Sequence, residues 1–242
     1  MKGTDNRIHP TAIIGDDVVL GDRNVIGPYT VIAGPAVIGS DNWIGPSVAI
    51  GTPGEIYSAE HPVSWEDGSG GMVRIGDRNR IREFATVQVS VGTETVIGSD
   101  CYLMTKSHVS HDVVLADQVT LSCGVLIAGH CLIGRASNIG LNAAVHQFTV
   151  VGAGCMVGMG SVVTRHLLPF SMVYGNPARR RGVNTRGAVR LGVPEAQVEE
   201  LGRLYEDDGW TPAADDLPPD VREQFASWQA DQQTVARQRP PA

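Results

Sequence analysis

The chain has 242 residues, 42% of them hydrophobic, which suffices for one large domain with a small appendage. Its formal net charge of −7 argues against nucleic acid as a partner, because nucleic acids are bound by basic surfaces. The first residues lack the apolar stretch of a signal peptide, and no run of about eighteen apolar residues occurs. These features predict a cytoplasmic protein without membrane insertion.

An aliphatic residue recurs at every sixth position from the N-terminus: Ile8, Ile14, Leu20, Ile26, Ile32, Ile38, Ile44 and Ile50. The repeat resumes at Ile75, shifts by four residues after Val87, and then runs from Ile97 to Val163. No α-helix has a period of six, whereas short strands explain a second inward residue two positions before each aliphatic one. Glycine follows most of the aliphatic residues and is predicted to permit the turn that ends each strand.

The four cysteines form no CxxC pair and have no metal-ligand spacing, so neither a disulfide framework nor a zinc site is expected. Cys101, Cys131 and Cys155 occupy the small inward position of the repeat. We therefore predict that they are free thiols in the core.

Two interruptions break the repeat, and the longer one covers residues 52–74. It contains Pro53, Pro62, Trp65 and a glycine-rich run at 68–71, and it is predicted to be either an ordered functional loop or a flexible lid.

After Val163 the repeat ends, and residues 194–207 show helical patterning. The apolar face of this helix contains Val198, Leu201, Leu204 and Tyr205. A turn-rich linker at 209–219 leads to a second helical candidate at 220–233. We thus predict a β-helix over residues 1–178 with a loop insertion at 52–74, and a mainly helical region with a disordered tail over 179–242.

The six-residue pattern resembles the hexapeptide-repeat transferases, whose fold is a left-handed parallel β-helix with three hexads in each triangular coil. The expected fold class is therefore all-β, a left-handed parallel β-helix of hexapeptide repeats with a small α-helical C-terminal region. Positions 18 apart would then stack in columns at the sheet spacing of about 4.8 Å.

Five of the seven histidines lie at or near one part of the repeat: His108, His111, His130, His146 and His166. Stacking places His111, Gly129 and Gln147 in one corner column, with Asp112 and His130 in the next. A histidine beside an aspartate and above a glycine amide suits a general base with an oxyanion donor. The alternative is that these are solvated turn residues.

Over about residues 7–206 the chain closely resembles one hexapeptide family, the UDP-N-acetylglucosamine O-acyltransferases of lipid A biosynthesis. The matching segments are IHPTA (8–12), IGDRNRIRE (75–83), HVSHD (108–112), AGH (128–130), AVHQF (144–148) and GVN (182–184). The resemblance implies transfer of an acyl group from the phosphopantetheine thiol of acyl carrier protein to a hydroxyl of a nucleotide sugar, UDP-N-acetylglucosamine or a related sugar.

The resemblance also implies residue roles. His111 is the general base, Asp112 supports its imidazole, and Gly129 donates its amide to the oxyanion. The substrate-binding residues are His108, His130, His146, Gln147, Asn184 and Arg190. No metal and no bound cofactor is expected, because a thioester is already activated and needs only a base, an anion hole and positioning.

Cys123, Leu141 and Met159 stack with Thr105 in an apolar stripe at another corner. The stripe is interpreted either as subunit packing or as the wall of an acyl groove. In the resembled family the residue at the Met159 position ends this groove, so we expect acyl chains of about ten carbons or fewer.

The resemblance implies a homotrimer whose sites lie between subunits. Docking of an acidic carrier protein on a negative chain needs a local basic surface. The candidates are Arg165, Arg179, Arg180 and Arg181, whose alternative interpretation is a solvated charge run.

Departures from the family concern the acceptor. The chain reads TPGEIYS (52–58) where the family has an aspartate and a lysine that hold the acceptor, and QVS (88–90) where it has His-Arg-Gly. Arg186 replaces an acidic residue, and Leu191 replaces the second of two arginines near the nucleotide.

Three alternatives remain at this stage. The segment GNPAR (175–179) also matches acetyl-CoA-dependent sugar N- or O-acetyltransferases, and a non-catalytic hexapeptide binding or scaffold protein would keep the fold alone. A three-histidine zinc site, as in hexapeptide-repeat carbonic anhydrases, lacks a third partner for His108 and His111 at a matching spacing.

Overall fold

The computed structural model describes residues 3–57, 70–206, 213 and 216–239. Short strands separated by tight turns make up most of this part of the chain. The strands are Arg7–Ile8 (β1), Ile13–Ile14 (β2), Val18–Leu20 (β3), Val25–Ile26 (β4), Val31–Ile32 (β5), Ala36–Ile38 (β6), Trp43–Ile44 (β7), Ala49–Thr52 (β8), Val73–Ile75 (β9), Arg80–Ile81 (β10), Thr86–Gln88 (β11), Thr95–Ile97 (β12), Tyr102–Leu103 (β13), His108–Val109 (β14), Val114–Leu115 (β15), Thr120–Leu121 (β16), Leu126–Ile127 (β17), Leu132–Ile133 (β18), Asn138–Ile139 (β19), Ala144–Val145 (β20), Val150–Val151 (β21), Met156–Val157 (β22), Val162–Val163 (β23), Ser171–Gly175 (β24) and Ala178–Val183 (β25).

These strands form the three sides of a left-handed β-helix, which confirms the predicted fold class. Among the described residues the ten-stranded sheet runs β1-β4-β7-β10-β13-β16-β19-β22-β24-β25. The eight-stranded sheet runs β2-β5-β8-β11-β14-β17-β20-β23, and the seven-stranded sheet runs β3-β6-β9-β12-β15-β18-β21. Pairing is parallel except between β24 and β25, which form an antiparallel hairpin.

Successive coils are offset by 18 residues in the regular part, as the repeat predicts. The offset grows to 37 residues between Asn42 and Asn79, and to 22 residues between Asn79 and Cys101. The increase to 37 residues comes from the predicted insertion. Residues 58–69 of this insertion, which include Pro62 and Trp65, lie outside the described residues. The increase to 22 residues is the shift of four residues, and it lies between β11 and β12. Both extra segments join the eight-stranded to the seven-stranded sheet, so they begin and end at the same corner of the triangle.

The inside of the prism is filled by the residues that the repeat predicts. Ile44, Leu103 and Ile127 are fully buried, and their equivalents along each side are buried except in the first coil, where Ile8 and Ile14 are partly buried. The small inward position contains the cysteines, and burial raises the pKa of the Cys101, Cys131 and Cys155 thiols to about 12. These residues are core thiols in the protonated form, as predicted.

The prediction that glycine permits the turn at the end of each strand is wrong. The left-handed backbone conformation at many corners belongs to non-glycine residues, such as Arg23 with φ 56° and Asp112 with φ 58°. Gly21, two positions before Arg23, is needed for space, since a Cβ there would lie 2.6 Å from Ser40 Oγ and 2.7 Å from the Gly39 carbonyl carbon. Glycine therefore permits close approach of neighbouring coils rather than the left-handed turn.

A ladder of asparagines runs inside the ten-stranded side. The Oδ1 of Asn24 accepts a hydrogen bond from the Asn42 N–H at 2.9 Å, and Asn42 Oδ1 accepts from the Asn79 N–H at 2.9 Å. Asn79 Oδ1 then accepts from the Cys101 N–H at 2.8 Å. This ladder satisfies backbone groups at one turn of each coil, including both coils that follow the insertions.

Helices follow the hairpin: Thr185–Arg190 (α1), Glu195–Leu204 (α2) and Arg222–Gln238 (α3), with a 3-10 turn at Pro219–Val221. In α2, Val198 and Leu201 are buried with Tyr205 in a second hydrophobic cluster, so the predicted apolar face is confirmed. The second helical candidate extends to Gln238, five residues beyond the predicted end, because Val235 is buried against the β-helix. Most of the predicted linker at 209–219 lies outside the described residues.

Helix α3 covers the seven-stranded sheet, where Val235 contacts Leu132 and Val150. Arg239, just after the helix, donates a hydrogen bond to the Phe148 carbonyl oxygen at 3.2 Å. None of the helices in the described ranges is both long and apolar enough to cross a membrane.

Candidate active site

The histidine corner is the edge between the eight- and seven-stranded sheets that contains His111, Asp112, Gly129, His130, Gln147 and Phe148. His108 precedes it on β14, and His146 precedes it two coils later. Parallel pairing of β14 with β17 and of β17 with β20 stacks these positions as the repeat predicts. The structure therefore brings four of the five clustered histidines together on three successive coils.

His111 and Asp112 form a buried dyad. His111 Nδ1 lies 2.8 Å from Asp112 Oδ2, and the two side chains are 11% and 0% exposed. Burial would raise the pKa of Asp112, but the hydrogen bond from His111 and backbone N–H groups from residues 91–93 outweigh it and hold the pKa well below its usual range. The carboxylate is therefore ionised and can only accept, so the neutral form of the His111 ring that this contact favours has its proton on Nδ1 and its lone pair on Nε2. This is the tautomer that a general base needs.

Gly129 lies one coil further on, against the imidazole of His111. A Cβ at Gly129 would lie 2.5 Å from His111 Cε1 and 2.7 Å from Nε2, so only glycine fits beside the ring. Within the described part of the chain, no group accepts a hydrogen bond from the Gly129 N–H. A free backbone donor beside a histidine base matches the geometry of an oxyanion site.

His130 packs in the adjacent column between His111 and Phe148. Its ring stacks on Phe148 at 4.5 Å and meets the His111 ring edge-on at 5.0 Å. Burial lowers the pKa of His130, although the Asp112 charge opposes this, so the ring is neutral at pH 7. Its Nδ1 is buried and meets no hydrogen-bond partner at ideal geometry among the described residues, while the nearby Gln238 side chain of α3 acts to raise the pKa of His130.

His108 and His146 complete the histidine cluster. His108 Nδ1 lies 2.7 Å from Thr86 Oγ1, and burial lowers the pKa of His108 while Glu55 opposes the shift. His146 and Gln147 are exposed at the corner, and His146 Nδ1 is 3.1 Å from the Gln147 carbonyl oxygen. The remaining histidine, His166, accepts a hydrogen bond from the Val150 N–H at its Nδ1.

Asn184 and Arg190 lie elsewhere in the chain. Asn184 Nδ2 donates to the Gly154 carbonyl oxygen at 2.8 Å, at the corner between the seven- and ten-stranded sheets. Arg190 is exposed at the end of α1. Within one chain these two residues do not meet the histidine corner.

Thr105, Cys123, Leu141 and Met159 lie at the third corner, between the ten- and eight-stranded sheets. Leu141 is 45% exposed and Met159 is 74% exposed, so the predicted apolar stripe faces outward in a single chain.

Several further residues hold the site, although no motif in the sequence marks them. Glu55 is exposed at the start of the long insertion, and its charge acts on His108. The two ends of that insertion are tied to the segment that departs from the resembled family. The Glu55 N–H donates to Gln88 Oε1 at 3.4 Å, and the Met72 N–H donates to Ser90 Oγ at 2.9 Å. No periodicity marks these residues, because they lie in or beside the two segments that interrupt the repeat.

His111, Asp112 and His130 also have ligand atoms within 4.8 Å of one another, which is a spacing that a metal ion requires. The Asp112 oxygens, however, already accept five hydrogen bonds, two of them at Oδ2 and three at Oδ1. A metal would have to displace these donors from a buried carboxylate. The donor set thus fits a base and its support better than a metal centre.

Two cavities flank the site. One, of about 350 Å³, is lined by Arg165, His166, Arg179 and Arg180, which places three of the four candidate docking arginines together. The other, of about 360 Å³, lies between α3 and the seven-stranded sheet, with Trp228 and Asp231 in its wall. It does not include the dyad.

Comparison with known proteins shows similarity in sequence and in fold. A family model described as bacterial transferase hexapeptide (six repeats) matches residues 3–34. An acyl-[acyl-carrier-protein]–UDP-N-acetylglucosamine O-acyltransferase from Gloeothece citriformis is 38% identical over 140 residues, covering 57% of this chain. A relative of the same name from Agrobacterium fabrum is 35% identical over 142 residues. The matches span about half of these relatives' own lengths, 51% and 52%.

Solved structures agree over nearly the whole chain. The UDP-N-acetylglucosamine O-acyltransferase of Moraxella catarrhalis has a TM-score of 0.67 at 27% identity, with 98% of this chain and 97% of that chain covered. The UDP-N-acetylglucosamine acyltransferase of Bacteroides fragilis shares the fold with a TM-score of 0.76 at 24% identity, with 92% and 94% covered. The resemblance predicted from the sequence is confirmed.

Proposed function

We propose that this hexapeptide-repeat protein, which resembles the UDP-N-acetylglucosamine O-acyltransferases in sequence and fold, transfers an acyl group from acyl carrier protein to a nucleotide sugar. The acceptor is a hydroxyl of UDP-N-acetylglucosamine or a related sugar. The observation that carries this proposal is the buried His111–Asp112 dyad beside Gly129, where neither His111 Nε2 nor the Gly129 N–H has a hydrogen-bond partner among the residues that the structure describes.

The proposed reaction is one acyl transfer through a tetrahedral intermediate. His111 Nε2 takes the proton of the sugar hydroxyl as that oxygen attacks the thioester carbonyl carbon. The carbonyl oxygen becomes an anion and accepts the Gly129 N–H. When the intermediate collapses, the carbon–sulfur bond breaks, and His111 returns its proton to the leaving thiolate. The buried Asp112 carboxylate stabilises the imidazolium that exists between the two proton transfers.

No metal or bound cofactor enters this scheme, and their absence stays a prediction. His108, His130, His146 and Gln147 surround the dyad and are proposed to line the sugar and thioester positions. Glu55 is proposed to contact the acceptor, because its carboxylate reaches the same space as His108 from the insertion that departs from the resembled family.

A homotrimer is proposed to complete the site. Asn184 and Arg190 are distant from the histidines of their own chain, so the nucleotide contacts predicted for them require a neighbouring copy. The acyl groove along Cys123, Leu141 and Met159 is likewise open on one side in a single chain.

The donor is proposed to dock at the basic cavity formed with Arg165, Arg179 and Arg180, with Arg181 beside them. Acyl carrier protein is acidic, and a local positive surface on a net negative chain would attract it at low salt. The cytoplasmic location predicted from the sequence belongs to this proposal as well.

Mass spectrometry of the products tests the reaction. The protein is incubated with a panel of sugar nucleotides, each with acyl carrier protein thioesters and with CoA thioesters. An acylated nucleotide sugar that forms faster from the carrier protein is expected. Faster acetylation from acetyl-CoA would favour a sugar acetyltransferase, and no transfer from any donor would contradict the proposal.

His111→Ala tests the base. We expect turnover to fall by about 10²- to 10⁴-fold with an unchanged unfolding temperature. His9→Ala is the matched control, because His9 is exposed and its Nδ1 contacts only the nearby Thr11. Near-native activity of His111→Ala would rule out the assigned base.

A further inference from the structure

The shift of four residues in the repeat produces a short loop over the Asp112 carboxylate. Oδ2 of Asp112 accepts the Val91 N–H at 3.0 Å. Oδ1 accepts the Gly92 N–H at 2.9 Å, and it also accepts the N–H of Thr93 at 2.6 Å and its hydroxyl at 3.1 Å. With His111, these donors surround a carboxylate that is 0% exposed.

A carboxylate at a regular corner accepts a single backbone N–H, as Asp22 does from Thr4 and Asp117 does from Ser99, each at 2.7 Å. There, the N–H of the left-handed residue bonds to a carbonyl oxygen of the preceding coil, as His130 does with His111 at 3.1 Å. The extra residues change this arrangement, because three consecutive N–H groups turn toward the following coil instead. The Asp112 N–H finds its own partner at Thr95 Oγ1, 2.9 Å away.

We propose that this loop, residues 90–94, is a cradle that positions the dyad, and that Thr93 is its main positioning residue. The inference rests on the proposed function. Thr93 supplies two of the five hydrogen bonds, and of the four described residues that bond the carboxylate it alone does so through a hydroxyl. Because the cradle fixes both carboxylate oxygens, the His111 Nδ1–H can bond Asp112 in only one orientation of the imidazole ring. In that orientation Nε2 faces the substrate.

The location of the loop agrees with this role. It joins the eight- and seven-stranded sheets one coil before Asp112, which is the corner where the dyad lies. A buried carboxylate requires compensation by hydrogen bonds or charge. Here the chain provides that compensation with backbone groups that a six-residue corner would have used between coils.

Two substitutions at Thr93 separate the hydroxyl from the shape of the side chain. Thr93→Val removes the hydroxyl donor and keeps the branched shape, whereas Thr93→Ser keeps the donor. We expect kcat of Thr93→Val to fall about tenfold with KM for both substrates unchanged, because one hydrogen bond to a charged group is lost. Thr93→Ser should recover most of kcat.

Thr234→Val is the matched control, because Thr234 is exposed on α3 and its hydroxyl bonds only to the Ala230 carbonyl oxygen. It should behave like the wild type. A kcat for Thr93→Val within twofold of the wild type would overturn the positioning role, even if His111→Ala abolishes turnover.

A second measurement needs no activity. Proton NMR of histidine-labelled protein should show a slowly exchanging Nδ1–H resonance that is absent from His111→Ala. In Thr93→Val this proton should exchange faster, and in Thr93→Ser it should not. Unchanged exchange in Thr93→Val would overturn the cradle, whereas a wild-type protein that shows this protection but transfers no acyl group would contradict only the proposed function.

Discussion

Gly129 shows how one residue can be required by its neighbour's ring rather than by its own backbone. Its φ is not in the left-handed region, so alanine is allowed conformationally, but a Cβ would lie 2.5 Å from His111 Cε1. We expect Gly129→Ala to displace the imidazole from Asp112 and to reduce kcat by about 10²-fold. Gly202→Ala is the control, because a Cβ there meets no atom within 4 Å. Comparable loss of activity in both variants would refute the steric explanation.

Met159 is the residue through which acyl length is testable. It is 74% exposed and lies at the same corner as Leu141, one coil later, where the proposed groove would end. Each methylene buried on binding is worth about 0.8 kcal/mol, so removing the side chain should favour longer donors, up to about tenfold in relative kcat/KM. The measurement is kcat/KM of Met159→Gly across a series of thioesters, with Met159→Leu as the control that retains the profile. An unchanged chain-length profile in the glycine variant would assign the stripe to subunit packing.

At the scale of elements, the asparagine ladder holds the coils in register across both insertions. Asn42 is 1% exposed, its Oδ1 accepts the Asn79 N–H, and its Nδ2 donates to the Gly76 carbonyl oxygen at 3.0 Å. Asn42→Ala leaves both backbone groups buried without partners, and we expect a loss of about 3 kcal/mol in the free energy of unfolding. Chemical denaturation measures this loss. Gln233→Ala is the control, because it removes an amide side chain that is exposed. A loss below about 0.5 kcal/mol would show that the ladder is not required.

Helix α3 is the second element that shapes the site. It packs on the seven-stranded sheet through Val235, and this places Arg239 over Phe148, the ring on which His130 stacks. The C-terminal helical region therefore contacts the histidine corner at Phe148.

For the whole molecule, stability should fall as the pH is lowered from about 7 to 5. Burial is the main cause that lowers the pKa of His108, His130 and His166 from 6.5. Below pH 6.5 the unfolded chain therefore binds protons that the native protein does not bind. The stability that these neutral histidines contribute is complete above pH 6.5 and is lost as the pH falls. We expect the unfolding temperature to drop by about 5 °C over this range. The lowered pKa of Asp112 has no effect here, because its stabilisation is lost only at far lower pH. A flat profile would contradict the burial of these rings.

Assembly is the other property of the whole molecule. Single chains expose Phe84, Leu126 and Met159 on the outer side of the β-helix, at 57%, 52% and 74%. Light scattering should give the mass of three chains, and Leu126→Asp should lower both the mass and the activity, because a charge is costly at a buried interface. A fully active monomer would refute the trimer.

The sequence determined the β-helix through its period of six, which places the aliphatic residues inward and resembles the repeat of the hexapeptide-repeat transferases. It also determined which positions stack, and hence that His111, Asp112 and Gly129 lie together. It identified the place of the shift of four residues but not its effect.

Only the tertiary structure decided the rest. Neither Thr93 nor Gln88 follows a periodic pattern, and their partners, Asp112 and Ser110, lie 19 and 22 positions away. The reach of α3 to Phe148 likewise depends on how a helix packs on a sheet, since Arg239 is 91 positions from the carbonyl it bonds. Repeats encode contacts between equivalent positions of neighbouring coils, whereas contacts made by insertions and by the C-terminal helix depend on paths of the backbone that no repeat specifies.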